Sequence, residues 1–173
     1  KIGILISSHK SNTIALMSIL QSIEFWSRKL VVSAGHENRC EYSIKDTPVI
    51  GVSHNSYDFT GLVEIISNPQ IIEDWTHILT VQDTVEFGKY TLELCRNADP
   101  NVDVTAATPN GMSNIILCKK EYIFQKKDLI DWKISEIWPD NKNTSTIKTE
   151  KRKIYLLKII GKTYFILLLI YFL

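Results

Sequence analysis

The sequence predicts an α/β fold: a mostly parallel open sheet flanked by helices, followed by a C-terminal hydrophobic tail. Three observations carry that expectation. Short apolar runs at residues 1–7, 30–33, 49–53 and 78–81 are separated by segments of helical spacing, the pattern of βαβ units joined by right-handed crossovers. The run 78–81 is apolar or β-branched throughout and ends abruptly in Gln82, Asp83 and Thr84, as a strand buried on both faces does. The chain has 173 residues, 45% hydrophobic and 23% charged, which is enough for one domain with a sizeable core.

In order, residues 1–7 (KIGILIS) read as the first strand and Ser-Ser-His-Lys as its loop. Ser11 or Asn12 can cap the helix that follows, because a short polar side chain can accept an open N–H of the first turn. Leu16, Ile19, Leu20 and Ile23 then recur at helical spacing over residues 14–25. Residues 30–33 (LVVS) form the second strand and 34–37 its loop; residues 49–53, after Pro48, form the third. A polar loop at 54–58 leads into a short helix at 59–66, which Asn68-Pro69 ends because proline cannot continue the backbone ladder. Strand four is the 78–81 run. A helix is expected near 87–96, strands at 102–106 and 114–118 around the Thr108–Gly111 turn, and a helix from 119 to 131.

The totals exclude several classes. The formal net charge of +1 gives no nucleic-acid footprint. The three cysteines, Cys40, Cys95 and Cys118, form no CxxC pair and read as free thiols of a reducing, cytoplasmic compartment. The four histidines are dispersed, with no HExxH, and His36, His54 and His77 read as structural. No loop matches GxGxxG, GxxxxGK[ST] or GxSxG, which disfavours dinucleotide, P-loop and α/β-hydrolase chemistry. The chain opens on Lys1 without a signal peptide or a Met, as a processed terminus or a fragment would.

What remains is a set of polar strand ends. In open α/β sheets ligands bind beyond the carboxyl ends of the strands, and there stand Ser7-Ser8-His9, Ser33 to Glu37, Asn55 to Asp58 and Gln82-Asp83-Thr84. With ILISSHK, VVSAGHE, HNSYDFTGL and ILTVQDT in these places, the chain resembles the nucleotide-sugar-dependent glycosyltransferases of the A-type, Rossmann-like fold, near the large family-two group. The resemblance covers about residues 1–125. It implies transfer of a sugar from a nucleotide-sugar donor to a glycan, lipid or protein acceptor. The implied cofactor is a divalent cation, Mn²⁺ or Mg²⁺, which would neutralise the diphosphate leaving group.

On that resemblance Asp83 corresponds to the final acid of the family's DxD motif and is the expected metal or diphosphate ligand. The motif reads Val81-Gln82-Asp83 here, so its first acid is missing. Ser7, Ser8, His9, Glu37, Asp58 and Gln82 complete the expected donor side, and Asn110, Gly111 and Asn114 the acceptor side. A carboxylate must deprotonate the acceptor hydroxyl in an inverting enzyme, and Asp131, Glu136 and Asp140 are the candidates. Each has a plainer reading as well. Asp83 suits a strand-end turn, Asp58 the positive end of a helix, Ser7 and Ser8 turn backbone, and Glu37 a solvated loop.

Three segments follow: a nucleotide-sugar-binding domain at 1–139, a polar linker at 140–150 and a basic-hydrophobic tail at 151–173. The unbroken apolar part of the tail is about half the roughly twenty residues of a membrane span. A span, a membrane-surface anchor and a packed terminal element all remain open for it. The missing first acid also admits a second class of function, a non-catalytic glycosyltransferase-shaped binding or scaffold domain held at a membrane by the tail.

Overall fold

A computed structural model describes residues 1–99, 101–106 and 115–127. They form a seven-stranded sheet with helices on both faces. The strands are β1 (Ile2–His9), β2 (Lys29–Ala34), β3 (Cys40–Ile44), β4 (Thr47–Gly51), β5 (His77–Gln82), β6 (Val104–Ala106) and β7 (Ile116–Lys119). The helices are α1 (Thr13–Ser22), α2 (Thr60–Ser67), α3 (Lys89–Asn97) and α4 (Lys120–Gln125). The sheet order is β3-β4-β2-β1-β5-β7-β6.

The four central strands, β4-β2-β1-β5, are parallel as expected. The edges differ from the expectation of a mostly parallel sheet. β3 runs antiparallel to β4, and β7 runs antiparallel to both β5 and β6, so the sheet is mixed. β3 is absent from the sequence reading altogether. It is joined to β4 by a tight turn in which Lys45 and Asp46 both take positive φ, 46° and 60°. Two successive positive φ values are the signature of a hairpin turn whose twist matches its strands.

The apolar runs of the central strands are explained by burial on both faces. Ile4 and Ile6 of β1, Val31 of β2 and Leu79 and Val81 of β5 pack on one face with Leu16, Ile19 and Ile23. Leu5, Leu30, Val32 and Ile78 pack on the other, with Leu62, Ile65 and Ile66 of α2 and with Trp75. Each fully buried side chain of this size contributes about 1.5–3 kcal/mol. Gly3 lies so close to Trp75 that a Cβ there would come 2.1 Å from the indole ring.

Asn12 occupies the N-cap of α1, but its side chain makes no cap bond to the helix; it accepts from Ser11 Oγ at 3.3 Å instead. Helix α2 ends at Ser67 before Asn68, and Pro69 opens a short 3-10 turn, Pro69–Ile72. Inside α2 the buried carboxylate of Glu64 accepts from Arg39 Nε at 3.1 Å and from Asn68 Nδ2 at 3.0 Å. That pair ties the segment before β3 to the helix, since a buried carboxylate left unpartnered would be costly.

The chain path fixes where the strand order reverses. From β1 it steps outward to β2 and β4, then crosses back to place β5 on the other side of β1. The strand order therefore reverses between β1 and β5. The expected acceptor residues Asn110, Gly111 and Asn114, the candidate bases Asp131, Glu136 and Asp140, the linker 140–150 and the tail 151–173 lie outside the described residues.

Candidate functional site

The parallel register pairs Ser7 of β1 with Gln82 of β5. Asp83 N–H continues the ladder by donating to the Ser7 carbonyl at 3.2 Å. One residue further, Ser8 and Asp83 stand side by side at the carboxyl edge of the sheet. Ser8 Oγ donates to Asp83 Oδ2 at 2.7 Å, and the two residues are only 7% and 5% exposed. A hydroxyl bond to an ionised carboxylate is short and strong, and it offsets part of the cost of removing the charge from water. Among the described residues no cation forms an ion pair with Asp83.

The two-residue period of a strand separates the other expected donor residues by face. Ser7 points to the α2 side. Its Oγ donates to the Asp58 carbonyl at 2.9 Å and accepts from Gly61 N–H at 3.0 Å. Ser7 thus anchors the 3-10 turn Tyr57–Phe59 and the start of α2. The approach is close: a Cβ on Gly61 would lie 2.8 Å from Leu5 Cγ. Asp58 is half-buried in that turn, and Gln82 half-buried at the end of β5. Val81, which stands where the resembled motif carries its first acid, is 2% exposed and part of the apolar core.

His9 closes β1. Its Nδ1 accepts from Ser11 N–H at 3.2 Å and lies 2.7 Å from Ser11 Oγ. Its ring packs on Gly35, where a Cβ would come 2.4 Å from His9 Nε2; Gly35 has φ +83°, a conformation that glycine adopts without strain. The loops after β1 and β2 are thereby held together. Glu37, two residues on, is exposed.

Register also extends a row of small and polar residues across four strands, to Asp83 just beyond the end of β5. Cys40 pairs with Gly51, Gly51 with Ser33 and Ser33 with Ser8, which meets Asp83. Over Gly51 lies the imidazole of His36, with Nε2 3.1 Å from Ser33 Oγ and Nδ1 3.6 Å from Cys40 Sγ. Sequence reasoning missed the Cys40–His36 contact because it contained no β3 to bring Cys40 back to the edge.

On the α2 side His54 is half-buried, and its Nδ1 and the Ser56 hydroxyl are buried with no hydrogen-bond partner among the described residues. Burial lowers the His54 pKa below its usual value, with the Glu64 charge opposing the shift. Among the described residues no group of three or more His, Cys, Asp or Glu side chains converges to cage a metal. Asp83 offers one carboxylate, which could hold a hard cation that takes its remaining oxygen ligands from water.

The chain matches no protein-family model and no curated protein sequence.

Proposed function

We propose that the β1–β5 edge binds a nucleotide-sugar donor and that the protein is a glycosyltransferase of the A-type fold. The reading is carried by one observation: a buried carboxylate, Asp83, oriented by Ser8 at the point where strand order reverses. Such a switch point is where open α/β sheets bind ligands, because the flanking helices leave on opposite faces and open a crevice there.

In this reading Asp83 is the residue that holds the divalent cation. The cation, when bound with the donor, stabilises charge on the departing diphosphate. Ser8 fixes the carboxylate rotamer, so that the ligand need not organise it. Ser7 positions the Asp58 turn through its two hydrogen bonds and leaves ligand contact to its neighbours. His9, Glu37, Asp58 and Gln82 border the donor. Asn110, Gly111 and Asn114 serve the acceptor, and Asp131, Glu136 or Asp140 supplies the base.

A non-catalytic donor-binding domain is the second reading, favoured by the apolar Val81 at the first-acid position. Contact with a membrane through residues 151–173 belongs to either reading. No helix among the described residues is long and apolar enough to cross a membrane.

Thermal unfolding with uridine or guanosine diphosphate plus Mn²⁺ tests the site. A ligand at a hundredfold excess over its dissociation constant adds about 2.7 kcal/mol of stability. Asp83→Ala removes that gain. No shift with any nucleoside diphosphate contradicts the proposal, and binding without sugar transfer or hydrolysis selects the second reading.

A further inference from the structure

A second cluster brings together a nucleophile, a base and an orienting group. His36 Nδ1 faces Cys40 Sγ at 3.6 Å, while its Nε2 faces Ser33 Oγ at 3.1 Å. The Tyr42 ring flanks the imidazole at 6.1 Å between centroids, tilted by 52°. The main chain of His36 is fixed as well, its N–H donating to the Val52 carbonyl at 3.0 Å. Gly51 makes the meeting possible: a Cβ there would stand 2.5 Å from Cys40 Sγ and 2.9 Å from His36 Cδ2. Any larger residue would push thiol and imidazole apart.

We propose that Cys40 is a reactive thiol activated by His36, a site of reversible modification by small disulfides. Cys40 is exposed, so a disulfide can reach it, whereas Cys95 and Cys118 are buried. A thiolate is the attacking species in such exchange, and a base within hydrogen-bond reach that is itself held by a third group is the arrangement that generates one. The Cys40 proton passes to His36 Nδ1. The imidazolium so formed donates to sulfur through Nδ1 and to Ser33 Oγ through Nε2, so both contacts survive the transfer. The thiolate attacks one sulfur of the disulfide, the S–S bond breaks, and the departing thiolate takes the proton from His36. The products are a mixed disulfide on Cys40 and one free thiol, and a second thiol reverses the step.

The proposal does not rest on the sugar-transfer reading, and its test uses no nucleotide. The intact chain is incubated with oxidised glutathione, and adducts are followed by mass and peptide mapping across a pH series. The expected result is a single early adduct on Cys40, absent in Cys40→Ser. His36→Gln slows it about a hundredfold at neutral pH, the lower end of what a positioned base contributes, and changes the pH–rate profile. Ser33→Ala slows it less, at a temperature where unfolding curves show the variant fully folded. Should His36→Gln fail to fold, Ser33→Ala decides alone: slowing supports the proposal and a wild-type rate overturns it. First labelling of Cys95 or Cys118, or a wild-type rate and pH profile in folded His36→Gln, also overturns it.

Discussion

Ser8 Oγ and Asp83 Oδ2 are joined by a 2.7 Å hydrogen bond across the junction at which the sheet reverses its strand order. The bond links adjacent parallel strands, so it serves both the fold and the candidate site. It keeps a carboxylate ordered while nearly removed from solvent.

Ser8→Ala deletes the donor and leaves the carboxylate in place. Loss of a hydrogen bond to a charged group costs about 1.5–3 kcal/mol, to be read from urea unfolding. The same substitution made on an Asp83→Leu background costs less, because its partner is already gone. Equal costs in the two backgrounds would mean that the pair carries no coupling energy.

Acid destabilisation follows from two histidines. Burial lowers the pKa of His54, and burial followed by the positive charges of the N-terminus and Lys119 lowers that of His77; both start from 6.5. The unfolded chain therefore binds protons more readily than the folded one. Stability is full above 6.5, declines as pH falls through that value, and levels off below the folded pKa values. Urea midpoints should drop between about pH 7.5 and about pH 5.5, and His54→Gln should flatten the decline. A decline of the same size in His54→Gln and in the parent would show that His54 does not contribute.

The hairpin between β3 and β4 places Lys45 and Asp46 at positive φ, a conformation that Lys45 adopts at a cost and that the short polar side chain of Asp46 tolerates better. Replacing them by Asn and Gly should raise stability by about 1 kcal/mol. Unchanged or lower stability on urea unfolding would mean that the turn is not strained in this way.

That same hairpin explains what was hidden in the sequence. β3 reads Cys-Glu-Tyr-Ser-Ile; it does alternate apolar with polar residues, but it is only five residues long and exposed along most of its length, so no apolar run marks it. Its turn, Lys45-Asp46, lacks the Asn-Gly or Asp-Gly signal of such reversals. The central strands were legible because burial on both faces demands continuous apolar runs, as Ile4, Leu5 and Ile6 illustrate. Strand direction was not, since the apolar run of β7 reads the same whichever way it is paired.

At the candidate site, the polar ends of β1 and β5 were legible in the sequence, and the structure brings Ser8 and Asp83 of those ends together. Separating Ser7 from Ser8 required the register, which sends one hydroxyl to α2 and the other to Asp83. The Cys40–His36 contact required β3, and with β3 unseen nothing in the spacing of those residues revealed it.

The most direct test of the central claim is a crystal of the chain soaked with Mn²⁺ and uridine or guanosine diphosphate, measured at the manganese absorption edge. An anomalous peak bridging the Asp83 carboxylate and the diphosphate beside Ser8 is the result expected. Clear nucleotide density elsewhere on the protein, with the Ser8–Asp83 pair untouched, would contradict it.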